Sequence, residues 1–134
     1  MTMPNFSYVQ PKSLKEAIQQ LSSKGAKIHA GGTDLLGCLH DDVFQAKKVV
    51  SLSHLNDLRG VRQTKDGGLR IGALTPLVEV VNSEPIKEHY PALAQAASEV
   101  ASPQLRNQGT LGGNICQKPR CWYYRGEFHC LRKG

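Results

Sequence analysis

The stretch Lys27-Ile28-His29-Ala30-Gly31-Gly32-Thr33-Asp34-Leu35 decides how the rest of this sequence is read. Lys27–Ala30 has the composition of a short strand. Gly31-Gly32 turns the chain, and Thr33 or Asp34 is placed to cap a second helix running through Leu35, Leu36 and Leu39. Strand, glycine turn and helix start in that order bring backbone N–H groups together without Cβ atoms in the way, which suits an anion such as a phosphate. Upstream, Ser13-x-x-Glu16 is a capping box, and Leu14, Ala17, Ile18 and Leu21 recur at helical spacing, with Gly25 as a left-handed stop. Downstream, Lys48–Leu52 reads as a buried strand. Residues 5–55 thus predict a helix flanked by strands in a small parallel α/β lobe.

The pattern changes near Asp57. Val61–Thr64 and Leu69–Ala73 are strand-like and are separated by Lys65-Asp66-Gly67-Gly68, a hairpin signal. Thr75-Pro76 predicts a capped helix over Leu77–Val81, and Pro91 opens an Ala-rich helix, Pro91–Ala101, closed by Ser102-Pro103. We therefore expect one lobe over residues 1–56 and the start of a second over residues 57–134. Leu105–Asn114 is polar and glycine-rich, and holds a second diglycine segment, Thr110-Leu111-Gly112-Gly113-Asn114. Either pair could be a plain tight turn, but two in one small chain favour a shared anionic ligand. Neither fits G-x-G-x-x-G or G-x-x-x-x-G-K-[ST], so neither a Rossmann site nor a P-loop is supported.

Composition bounds the function. The chain has 134 residues and a net charge of +6, with 40% hydrophobic and 21% charged residues, as expected of a globular domain or two small lobes. Its apolar runs are too short for a membrane helix, and Met1–Asn5 starts no secretory signal, so a cytoplasmic location is expected. Four of the six net charges fall in residues 118–134, where Lys118, Arg120, Arg125, Arg132 and Lys133 face only Glu127. Trp122, Tyr123, Tyr124 and Phe128 lie there as well, with Cys121 and Cys130. The abrupt finish at Leu131–Gly134 suggests a truncated chain.

Taken in order, Lys27–Leu35, Gly68–Leu74 and Gln104–Asn114 resemble the FAD-binding, medium subunits of the molybdenum hydroxylases, the group that includes xanthine dehydrogenase, carbon monoxide dehydrogenase and 4-hydroxybenzoyl-CoA reductase. The resemblance implies a two-lobed α/β FAD-binding domain of the molybdopterin dehydrogenase type, C-terminally incomplete. It also implies that Lys27, Ile28, His29, Ala30, Gly31, Gly32, Thr33, Asp34 and Leu35, with Thr110, Gly112, Gly113 and Asn114, hold the FAD pyrophosphate between the lobes. Implied partners are a large subunit with the molybdenum cofactor and a small [2Fe-2S] subunit, in a heterotrimer or a dimer of heterotrimers. FAD would relay electrons between these and an external acceptor, and no catalytic residue need lie on this chain.

Arg120–Tyr124 and His129–Gly134 resemble an inserted loop of the 4-hydroxybenzoyl-CoA reductase and periplasmic-type aldehyde oxidoreductase subunits, which carries four cysteines for an additional [4Fe-4S] cluster. Cys121 and Cys130 match two of those positions, the others falling beyond Gly134. Cys38 and Cys116 are read as packing residues. The competing class is a nucleic-acid-binding module, in which tail aromatics stack on bases and arginines meet phosphates. Residues 1–117 are near neutral, with 12 Lys/Arg against 10 Asp/Glu, and frame no such module. We therefore expect neither a nucleic acid nor a membrane as partner.

Overall fold

The computed structural model describes residues 3–132. Strands β1 (Ser7–Val9), β2 (Ala26–His29) and β3 (Lys48–Ser51) form an all-parallel sheet in the order β1-β3-β2, with Val50 opposite both Val9 and Ile28. The central strand β3 is apolar on both faces because both are covered, as parallel sheets require. Val50 packs with Ala17, Leu55 and Leu74 on one face, and Val49 with Leu39 and Ala46 on the other. Strand β1 has no clear sequence signal: its three residues are largely exposed and gain their pairing only from β3.

Helix α1 (Leu14–Leu21) begins as its capping box dictates, with Ser13 Oγ accepting the Glu16 N–H at 3.2 Å. The Glu16 carboxylate reaches back to the N–H of Lys12, at 2.8 Å, rather than to that of Ser13. Ser22 ends the helix ahead of the expected stop, and Gly25, at φ +83°, instead turns the chain into β2. Helix α2 (Leu35–His40) follows β2 and covers the Val49 face through Leu39.

After a single 3-10 turn at Asn56–Leu58, strands β4 (Val61–Gln63) and β5 (Leu69–Ile71) pair as the expected antiparallel hairpin. The elements described after it are helices: α3 (Leu77–Asn82), α4 (Glu84–His89), α5 (Pro91–Ser98), α6 (Pro103–Gln108), α7 (Leu111–Ile115) and α8 (Trp122–Arg125). Val80, Ile86, Ala94 and Ala97 form the core of this part against Val61, Leu69 and Ile71 of the hairpin. Leu74 joins it to the parallel sheet by packing on Val50.

Expectations fail where side chains are recruited elsewhere. Thr75 does not cap α3, because its buried hydroxyl bonds the Gly60 N–H at 2.9 Å and the Gly60 carbonyl at 3.3 Å. Helix α5 stops at Ser98, short of Ala101, which turns the chain at φ +49°. Ser102-Pro103 then opens α6 instead of closing α5, with Ser102 Oγ accepting the Leu105 N–H at 3.3 Å. The polar, glycine-rich segment after it leads into helix α7, capped by Thr110.

Candidate functional site

The first diglycine bend leaves the end of β2 and enters α2. Gly32 has φ +77°, a left-handed value that a side chain resists. Gly31 is fixed by contact: a Cβ there would overlap the Gln108 carbonyl and come within 3.2 Å of Gly109 Cα. The first bend therefore packs directly on the segment that leads into the second. The amides of Gly31, Gly32, Thr33, Asp34 and Leu35 find no acceptor among the described residues, whereas the carbonyls of Gly32 and Asp34 accept from Leu36 and Cys38. Successive unpaired N–H groups in a bend form an anion-binding concavity.

The second bend is built differently. Leu111 N–H donates to the Thr75 carbonyl and Gly112 N–H to the Ala73 carbonyl, both at 2.9 Å. Gly113 N–H donates to Thr110 Oγ1 at 3.2 Å, and Asn114 N–H to the Thr110 carbonyl at 2.9 Å. A Cβ on Gly112 would sit 2.8 Å from the Ala73 carbonyl oxygen, so glycine is needed here for close packing. The expectation that both bends offer amides to one anion is thus corrected: the second is braced against Ala73 and Thr75, and donors remain at the first.

Both bends line one cavity of about 740 Å³. Of the residues singled out in the sequence, Lys27, Ile28, Ala30, Gly31, Gly32, Thr33, Asp34, Leu35, Thr110, Gly112, Gly113 and Asn114 all reach it. Lys27 stands with its ammonium 5.0 Å from the centroid of the Phe44 ring, and Lys118 and Arg120 add two further cations. Asp34 is the one carboxylate among the lining residues. Its Oδ1 accepts from Arg125 at 2.7 Å and Arg120 at 3.2 Å, which is why the helix it precedes has no side-chain cap.

His29 lies apart. It lines a smaller pocket of about 270 Å³ with Arg59, Asn107 and Gln108, which shares Gly31 and Thr110 with the larger one. Its ring meets Tyr8 edge-on, its Nδ1 is buried without a partner, and burial pushes its pKa below the ordinary 6.5.

Of the cysteines, Cys38 is buried as expected, and desolvation, then the Asp34 charge, push its thiol pKa up. Cys116 is exposed and lines the cavity, contrary to the packing role expected of it. Cys121 is exposed at the start of α8, its Sγ accepting the Tyr124 N–H at 3.3 Å, and Cys130 is half-buried. Among the described residues no three His, Cys, Asp or Glu side chains gather as a metal site. A [4Fe-4S] cluster takes four thiolates, so these residues do not fit it by themselves.

The profile of the family described as "FAD binding domain in molybdopterin dehydrogenase" matches residues 4–121. The chain belongs to this family. It is 41% identical over 111 residues to the xanthine dehydrogenase FAD-binding subunit of Escherichia coli O157:H7, covering 82% of this chain and 38% of that protein. It is 35% identical to the aldehyde oxidoreductase FAD-binding subunit of Escherichia coli K12, over 91% of this chain and 38% of the relative. Among solved structures, a carbon monoxide dehydrogenase from Hydrogenophaga pseudoflava superposes with a TM-score of 0.80 at 36% identity, over 86% of this chain and 40% of that one. The chain thus spans about two-fifths of the length of the proteins it matches. None of these relatives supports the nucleic-acid-binding alternative. No helix among the described residues is long and apolar enough to cross a membrane.

The residues fit the cofactor of this FAD-binding family on their own geometry: unpaired amides, three cations and two close-packed glycines around one cavity. Sequence reasoning missed Lys118, Arg120 and the left-handed Ala101, which also line it. The excess basic charge of residues 118–134 was the only signal for the first two. Ala101 gave none; beside it the Arg106 guanidinium bonds the Val100 carbonyl at 2.8 Å.

Proposed function

We propose that this chain is the part of a flavoprotein subunit that holds the diphosphate of FAD in a molybdenum-containing oxidoreductase of the xanthine, aldehyde or aromatic acyl-CoA type. The supporting observation is the run of unpaired amides from Gly31 to Leu35 lining a cavity that the braced Thr110–Asn114 bend also lines. Lys27–Leu35, Thr110, Gly112, Gly113 and Asn114 form the binding set. Within it, the amides of the first bend hydrogen-bond phosphate oxygens, and Lys27, Lys118 and Arg120 balance their charge. The Gly112 bend, braced by residues 73–75, gives the site a fixed element, and His29 lies against Gly32 of the first bend.

Bound FAD supplies one- and two-electron redox chemistry, and the protein sets its position and surroundings. The subunit works with a molybdenum-cofactor large subunit and a [2Fe-2S] small subunit in the cytoplasm, and delivers electrons to an external acceptor. No residue of this chain need act as a catalytic base or nucleophile. The lobe division near residue 56 separates the parallel sheet bearing the first bend from the hairpin and helices bearing the second. Cys121 and Cys130 supply at most two thiolates of an added cluster, and no step of this function depends on them.

The test is direct. The native subunit carrying this chain is expected to purify yellow, and heat-released flavin should run as FAD on chromatography. A colourless protein that fails to take up added FAD, or one that releases only FMN, rejects the reading.

A further inference from the structure

A carboxylate in an anion-binding bend is an electrostatic contradiction. Asp34 sits in the run of unpaired amides, lines the cavity, and is the one acidic residue to do so. Its position before α2 would ordinarily let it cap that helix, yet it makes no such bond. Both cations that hold it come from the tail: Arg125, 91 residues further along, at 2.7 Å, and Arg120, 86 residues along, at 3.2 Å.

The inner partner is rigidly held. Arg125 also donates from Nε to the Pro119 carbonyl at 2.9 Å and from Nη2 to the Lys118 carbonyl at 3.1 Å. Its side chain is 22% exposed and that of Asp34 is 20% exposed, whereas Arg120 is 61% exposed. A pair this sheltered is screened less by salt than one in open solvent.

We propose that Arg125, with Arg120 as its outer partner, is a positioning residue for FAD: it neutralises Asp34 and holds its carboxylate to the side, so that the first bend accepts a diphosphate. The inference rests on the reading that the cavity takes FAD. Without Arg125, a bound diphosphate would face an uncompensated like charge borne by the bend itself. The tail thereby acts on the cofactor site through Asp34, with no cluster required.

The measurement is the FAD dissociation constant of the native subunit, from flavin fluorescence after the flavin has been stripped, for wild type, Arg125→Gln, Asp34→Asn and the double variant. With Asp34 present, losing Arg125 should weaken FAD roughly tenfold or more, and in the Asp34→Asn background by less than about threefold. Asp34→Asn alone should tighten FAD, since it removes the like charge and frees the cavity-lining Arg120 guanidinium for the phosphates. The Arg125→Gln defect should also shrink as salt is raised, as a repulsion must.

If Asp34→Asn weakens FAD as much as Arg125→Gln does, the pair serves only to tie the tail down and the proposal is overturned. The same holds if the double variant is no better than Arg125→Gln. The Asp34→Asn arm decides even if Arg125→Gln fails to fold. Wild type that binds FAD with Arg125→Gln indistinguishable from it defeats the proposal alone, whereas wild type that binds no FAD defeats the functional reading beneath it.

Discussion

The two diglycine bends look alike in sequence and do opposite things. Around Gly31 the amides find no acceptor among the described residues, while the Gly32 and Asp34 carbonyls are bonded. Around Gly112 every amide from Leu111 to Asn114 already has an acceptor, at Thr75, Ala73 or Thr110. The difference comes from what each bend leans on. The first rests against the Gln108 carbonyl, an acceptor that blocks a Cβ and takes no hydrogen bond from the bend. The second rests on residues 73–75, whose carbonyls point at it and take its donors. A glycine pair therefore marks close approach, and only the neighbouring acceptors decide whether it also offers N–H groups to a ligand.

The largest effects should come from placing a Cβ at each bend. Gly31→Ala drives its methyl into the Gln108 backbone, and we expect a loss of about 3 kcal/mol or more with no measurable FAD binding. Gly112→Ala meets the Ala73 carbonyl oxygen at 2.8 Å and should cost about 1–3 kcal/mol, partly offset by better helix propensity within α7. Thermal unfolding and FAD titration of both variants would check this. Gly112→Ala abolishing FAD binding in a fully stable protein, with Gly31→Ala still binding, would reverse the roles assigned to the bends.

The threonines flanking the glycines sharpen the contrast. Thr110 Oγ1 caps Gly113, so Thr110→Val should lower stability by about 1 kcal/mol, the usual loss of a helix cap. The Thr33 hydroxyl has no bond among the described residues, and Thr33→Val should change stability by less than about 0.5 kcal/mol, as surface substitutions do. Its effect should fall on FAD affinity instead. Equal stability losses at both positions would mean that the first bend is braced like the second.

How much of this was legible depended on whether the deciding partner was local. The capping box at Ser13, the parallel strand Lys48–Leu52 and the hairpin around Gly67 are set by residues within a few positions of one another, and each forms close to where it was expected. Thr75 and Asp34 were misread as caps because their partners, Gly60 and Arg125, are 15 and 91 residues away. Helices α6 and α7 hid in a polar, glycine-rich segment, where propensity is weak and the caps Ser102 and Thr110 carry the structure. The two glycine motifs were legible as parts of one cavity, whereas Lys118, Arg120 and Ala101 were not. The division of labour between them was not, because it resides in carbonyls of residues 73–75 that have no distinctive side chains.

The smallest effect expected is a dependence on pH that belongs to the first bend alone. His29 ends β2, its Nδ1 is buried without a partner, and desolvation holds its pKa below 6.5. The unfolded chain therefore takes up a proton on His29 at a higher pH than the folded one does. The stability due to neutral His29 is complete above about pH 6.5 and is lost as pH falls from there towards the lowered folded pKa. Melting temperatures from about pH 8 down to about pH 5 should show this decline in wild type and lose that part of it in His29→Gln. A bound diphosphate should oppose the decline, since protonation adds positive charge beside the Gly31-Gly32 bend. Added FAD should thus protect wild type more strongly at the acid end than it protects His29→Gln. Equal protection of the two would show that charge on His29 is not felt by a diphosphate at the first bend.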